Sequence, residues 1–159
     1  VSRRKDRTAE EEFCAEVRAT LERWHFPRVD SVVLDPEKCD LVLNDQARGS
    51  FGKGYRAFTH AAFTIGLMRH CFKRGIPHPG FVLLDTPLNP LRDPDEVDHN
   101  KLPDSMKRAF FEDLASDATG AQFIIFENTE PPAAVHGHMN YVHFSGNPTV
   151  GRAGYFPKR

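Results

Sequence analysis

The sequence predicts an α/β fold with parallel strands, and three observations carry that prediction. Two apolar runs without polar alternation, HPGFVLLD at 78–85 and AQFIIFE at 121–127, have the pattern of strands covered on both faces in a parallel sheet. Between them Pro103 opens a helix carrying Met106, Phe110 and Leu114, expected to end near Gly120. Strand, helix and strand in that order read as a parallel βαβ unit. Before it, Phe58, Ala61, Ala62, Ile65, Met68 and Phe72 recur at helical spacing with further apolar residues between them, which marks a helix buried on most sides.

The remaining elements follow from local signals. Thr8 with Glu11 three positions later fits a capping box, and Phe13, Val17, Leu21 and Trp24 follow at four- and three-residue steps. An amphipathic helix from Thr8 to Trp24 is expected, stopping before Pro27. SVVLD (31–35) and CDLVLND (39–45) are short β-rich runs separated by PEK, a hairpin pattern. A loop rich in Pro, Asp and Asn fills 86–101, NYVHFS (140–145) reads as a last strand, and GRAGYFPKR is a tail.

Composition bounds the function classes. The chain has 159 residues, 40% hydrophobic, enough for one domain with its own core. A formal net charge of -1 with both signs interspersed excludes a global basic field for nucleic acid, so any such contact is local. Cys14, Cys39 and Cys71 are odd in number and widely spaced, which argues for a reducing compartment and against a disulfide framework. No apolar run reaches membrane-spanning length, and no cleavable signal pattern stands at the start; a cytoplasmic location without membrane contact is the expectation. The chain opens on Val1, and the polar stretch SRRKDRTAEEE suits a trimmed terminus or the middle of something longer.

Two stretches carry chemistry. GSFGKGYRAF, from Gly49, looks like a phosphate-binding P-loop entering a helix, but a P-loop requires G-x-x-x-x-G-K-[ST], whose last hydroxyl ligates magnesium. Here Gly54 follows Lys53, Ala47 stands where the first glycine belongs, and a polar turn precedes the motif instead of a buried strand. What remains is a glycine-flanked helix N-terminus, whose free amides favour an anion, with Lys53 and Arg56 beside it; the alternative is a turn whose glycines only satisfy backbone geometry. The run FVLLD delivers Asp85 to the carboxyl end of a parallel strand, where ligands bind and where nucleotide hydrolases hold Mg²⁺; the alternative is an Asp that starts a turn.

The order of these parts, a Gly-rich helix start, a buried helix, an apolar strand ending in Asp-x-Pro, an acidic loop, a helix and a second apolar strand, resembles the C-terminal lobe of an ABC-type ATPase head. More narrowly it is similar to the SMC, RecF and RecN group of coiled-coil ATPases of chromosome maintenance, DNA repair and phage defence, over residues 8–159. The resemblance implies the C-terminal lobe of a P-loop NTPase fold at 28–159, with the end of a coiled-coil arm at 1–27. It implies that GKGYR, with Gly52, Lys53, Gly54 and Arg56, takes the place of the signature motif that binds the γ-phosphate of an ATP held by a second head. Asp85 becomes the Walker B magnesium residue, TPLNPLRDPDE the D-loop, and QFIIFEN the strand leading to the switch position, where Asn128 replaces the usual His. The implied cofactors are ATP and Mg²⁺; the implied partners are an N-terminal Walker A lobe, a second head and DNA.

The departures from that family are specific. Its catalytic glutamate directly follows the Walker B aspartate, but this chain has Thr86, whose hydroxyl cannot take a proton from water as a carboxylate does. Glu127 and Glu130 of ENTEPP, at the end of the neighbouring strand, are the nearest carboxylates by topology. Asp-Thr-Pro together with Glu-Asn-x-Glu-Pro-Pro resembles one branch of these ATPases, which makes Thr86 a branch feature. The Walker A lobe is missing from the sequence, so the chain resembles half a head, and isolated it is expected to be inactive.

Two rival readings use other residues or none. A free-standing metal-dependent phosphoesterase or nuclease would use Asp85, Asp93 and Asp95, the last two within RDPDEVDH, which also holds Glu96 and Asp98 and otherwise reads as a solvated loop. A non-catalytic dimerisation module would keep the lobe and lose the chemistry, as Thr86 also allows. His136, His138 and His143 fall within eight positions, but no Cys or carboxylate completes a metal set, so solvated or capping histidines are the expectation. Tyr155 and Phe156 suit base stacking, yet a Gly-Tyr-Phe-Pro chain end more often packs on a sheet.

Overall fold

The computed structural model describes residues 2–88 and 102–156. The elements run α1 (Ser2–Arg23), β1 (Val32–Asp35), β2 (Asp40–Leu43), β3 (Gln46–Ala47), α2 (Lys53–Arg74), β4 (Phe81–Asp85), α3 (Asp104–Ala115) and β5 (Gln122–Phe126), with short 3₁₀ segments at Arg48–Ser50 and Ala133–His138. The fold is mixed α/β, with a two-stranded parallel sheet β4-β5 and an antiparallel sheet β1-β2-β3.

The hairpin forms where the sequence places it, with Val32 opposite Leu43 and Leu34 opposite Leu41. Val32, Leu41 and Leu43 are buried while Val33 is exposed, the alternation of a sheet covered on one face. Its turn ends on the exposed Cys39, a non-glycine residue at φ 49°. β3 is an addition: Asn44 and Asp45, at φ 49° and 63°, make a two-residue turn of the kind that matches strand twist. The Asn44 amide also fixes the entry to β1, accepting from the Asp30 and Ser31 amides at 2.9 and 3.0 Å.

The first helix begins at Ser2, so Thr8 lies inside it and the expected capping box is not a terminus; favourable helical sequence upstream outweighs a local start signal. Phe13, Val17, Leu21 and Trp24 are buried as their spacing predicts. α1 lies along α2 at close range. A methyl group on Gly66 would come within 2.8 Å of Val17 Cγ2 and 3.1 Å of Val17 Cα, so only glycine allows this approach. Gly66→Ala should therefore destabilise the protein by about 1–3 kcal/mol, read as a lowered urea midpoint at unchanged slope.

At the centre, the Trp24 ring meets Phe110 at 4.9 Å and Phe58 at 5.0 Å between centroids, joining α1, α2 and α3. Beside these rings is a polar knot. Arg69, 5% exposed in the middle of α2, donates to Asp113 at 2.9 Å, to Asp117 at 2.6 and 2.9 Å and to Thr20 at 3.3 Å. Trp24 Nε1 and Arg23 Nε donate to the two oxygens of Asp113 at 2.7 Å each. Lys73 pairs with Glu16 alongside.

The parallel βαβ unit is present: β4 pairs with β5 from Phe81 opposite Gln122 to Asp85 opposite Phe126, with α3 between them in sequence. Three expectations need correction. β4 is not covered on both faces; Val82 and Leu84 are buried, whereas Phe81 is 48% and Leu83 53% exposed, because nothing among the described residues covers that face. α3 ends at Ala115, where Ser116 and Asp117 return amides to Glu112 and Leu114, and Gly120 at φ 77° serves the turn into β5. NYVHFS forms no strand, only the bridge between Phe144 and Arg152, and joins neither sheet. Among the described residues no helix is long and apolar enough to cross a membrane.

Candidate functional site

The candidate site is built at the carboxyl ends of β4 and β5 and at the start of α2. Asp85 is the last residue of β4 and is exposed. Its carboxylate makes no hydrogen bond or ion pair among the described residues, which leaves both oxygens available to a cation. Hard divalent cations take oxygen ligands of this kind.

Thr86 follows in the left-handed region at φ 48°, a costly conformation for a β-branched residue, on the order of 1–2 kcal/mol. Its amide continues the ladder, donating to the Phe126 carbonyl at 2.7 Å. The next two residues, Pro87 and Leu88, are buried, so the chain dives inward after Thr86.

Glu127 ties the two strand ends together. One carboxylate oxygen accepts from the Leu88 amide at 2.8 Å, the other from Asn128 at 2.7 Å and Thr129 at 3.2 Å. With three backbone amides on it, Glu127 acts as a clamp on the loop after Asp85. Glu130 is exposed and among the described residues accepts from the Tyr141 hydroxyl alone, at 3.3 Å, and Asn128 is exposed. Glu127→Ala should lower stability by about 1–2 kcal/mol through the lost charge-assisted bonds. Faster amide exchange confined to Leu88, Asn128 and Thr129 is the measurement that separates a loosened clamp from general weakening.

At the other end, Gly52 is the N-cap of α2 and supplies no side-chain cap; the first helical bond runs from Arg56 N to Gly52 O at 2.9 Å. The amides of Gly54 and Tyr55, which precede that bond, have no partner within the helix ladder. Gly54 is buried, Gly52 and Lys53 are half-buried, and Arg56 is exposed. Sequence reasoning missed the residue that holds this turn: Arg48 forks onto Asp40 at 2.5 and 2.9 Å and donates to the Arg56 carbonyl at 3.1 Å. Burial raises the Asp40 carboxyl, but the Arg48 guanidinium outweighs it and holds Asp40 below the ordinary carboxylate value. The only sequence signal was a lone Arg three residues past a hairpin strand.

Asp85, Thr86, Glu127 and Asn128 thus share the β4-β5 edge, while Gly52, Lys53, Gly54 and Arg56 form a separate turn. No hydrogen bond among the described residues joins the two groups. Asp93, Asp95, Glu96 and Asp98 lie outside the described residues. His136 stacks on Tyr141 at 4.8 Å and donates from Nε2 to the Pro131 carbonyl at 3.0 Å, and His143 meets the Tyr141 hydroxyl at 3.3 Å. Among the described residues no group of three His, Cys, Asp or Glu side chains is placed to hold a metal. The chain matches no protein-family model, and no curated protein matches it significantly.

Proposed function

We propose that this chain is the C-terminal lobe of an SMC-like ATPase head, which binds and hydrolyses ATP only when joined by a Walker A lobe and a second head. The observation that carries the reading is the parallel β4-α3-β5 unit with an unpartnered Asp85 at its carboxyl edge, preceded by a helix that opens on Gly52-Lys53-Gly54. In this reading Asp85 holds Mg²⁺, and the positive end of α2 with Lys53 and Arg56 grips the γ-phosphate presented by the opposite head. Glu127 is a positioning residue that fixes the loop after Asp85, and Glu130 is the freer carboxylate beside it. Coupling to DNA would run through the α1 side, where the helix joins the core.

The open sheet face supports the half-head aspect. Phe81, Leu83 and Phe126 are each 42% exposed or more, on the face where further strands and helices of the other lobe would pack.

Calorimetric titration of Mg-ATP into the chain, alone and then mixed with a candidate Walker A lobe, tests the reading. Binding only in the mixture is the expected result. Tight binding to the lone chain would overturn it, and a mixture that binds ATP without ever hydrolysing it would favour the non-catalytic dimerisation module.

A further inference from the structure

The C-terminal segment is chemically unlike the rest of the chain. From Pro131 to Arg159 the sequence has no Asp or Glu, but it carries Arg152, Lys158 and Arg159, three histidines and the aromatics Tyr141, Phe144, Tyr155 and Phe156. The expected packing of the aromatic tail onto a sheet does not occur: Phe156 is 80%, Tyr155 62% and Phe144 38% exposed. The rings are held at the surface instead. The Arg152 guanidinium lies 5.3 Å from the Phe144 centroid and 6.0 Å from that of Tyr155, and Arg152 also donates to the Tyr155 carbonyl at 3.0 Å. Tyr155 and Phe156 meet edge to face, at 5.2 Å and 84°, so their faces point in different directions.

From this we infer that Phe144, Arg152, Tyr155 and Phe156 form a stacking surface for unpaired nucleotides, the partner being single-stranded nucleic acid. A base presents a flat π-face to each ring and a phosphate to the cation, and no carboxylate in the segment repels the backbone. Rings facing different ways suit bases splayed from one another, whereas duplex bases already stack on their neighbours. A lipid surface fits less well: apart from the short bridge around Phe144 and Arg152 this segment has irregular backbone, and burying such backbone in hydrocarbon is costly. The inference shares nucleic acid as a partner with the ATPase reading, but its test needs neither ATP nor a second lobe.

The test is fluorescence polarisation of a labelled oligothymidylate titrated with the full 159-residue chain, with a duplex of equal length and anionic phosphatidylserine vesicles as competitors. Binding that is tighter for the single strand is expected, weakened about tenfold or more by Tyr155→Ala with Phe156→Ala. Arg152→Ala should weaken binding and flatten its salt dependence. Tyr155→Leu with Phe156→Leu keeps apolar bulk and removes π-faces; it should weaken binding as the alanines do, at an unchanged melting temperature. Absence of binding, equal affinity of wild type and tail variants, preference for the duplex, or tail-dependent capture by vesicles without capture of the oligonucleotide would each overturn the inference. Mg-ATP calorimetry on the Walker A mixture reads the ATPase separately, so either reading fails without the other.

Discussion

Replacing Arg69 with alanine should cost about 3–5 kcal/mol of stability, a large share of the roughly 5–15 kcal/mol that holds a domain of this size together. The reason is what the substitution leaves behind. Asp113 and Asp117 have side chains only 9% and 4% exposed, and Arg69 is the cation between them. Burial works against the Arg69 charge, yet the two carboxylates outweigh it and raise its pKa above the ordinary arginine value. Without the guanidinium, Asp117 keeps only Thr119, and Asp113 keeps Trp24 and the half-exposed Arg23. Urea denaturation measures the loss, and a change below about 1 kcal/mol would mean that the three helices do not meet in solution as described.

The same cluster sets an acid limit. Burial raises the Asp117 carboxyl, but hydrogen bonds from Thr119 and the Arg69 charge outweigh it and leave its folded pKa below the ordinary value. A carboxyl depressed in the folded state stabilises above its unfolded pKa of about 3.9 and loses that contribution as pH falls through the lower folded value. Stability of the wild type should therefore drop below about pH 4, and less of that drop should remain in Arg69→Ala.

The second large effect is catalytic. In the ATPase assembly proposed above, Asp85→Asn should reduce turnover by at least about a hundredfold, because an amide holds Mg²⁺ far less well than a carboxylate and a bound metal contributes several kcal/mol to charge stabilisation. Stability should stay within about 0.5 kcal/mol of wild type, since Asp85 is exposed and makes no bond among the described residues. That combination separates it from Arg69. Unchanged turnover would remove Asp85 from the metal role, and lost turnover with a lowered melting temperature would assign it to the fold.

Legibility from the sequence followed the range of the interactions. The hairpin, α2, β4, α3 and β5 were readable because each rests on local periodicity, and Asp85 was readable because strand order places its carboxylate at a sheet edge. Features that depend on distant partners were not. Arg69 stands between Met68 and His70 on a buried face, and a lone cation there signals a buried carboxylate, but nothing local says that Asp113 and Asp117 supply it. Thr86 gives no sign of its positive φ, which the Glu127 clamp and the Phe126 carbonyl impose from the next strand. The unalternated FVLLD run predicts cover on both faces, and one of those covers is missing from the described chain. NYVHFS has strand-like residues but joins neither sheet, and propensity alone does not make a strand.

The hairpin turn has a practical consequence for measurement. Cys14 and Cys71 are buried, and burial, with the Glu10 charge second, pushes the Cys14 thiol above its ordinary value. Cys39 alone is exposed, so a maleimide dye should react at that one position of the unaltered chain. The protein thus carries its own spectroscopic ruler: energy transfer between two copies labelled at Cys39 would report how near their hairpins come, with no engineered thiol.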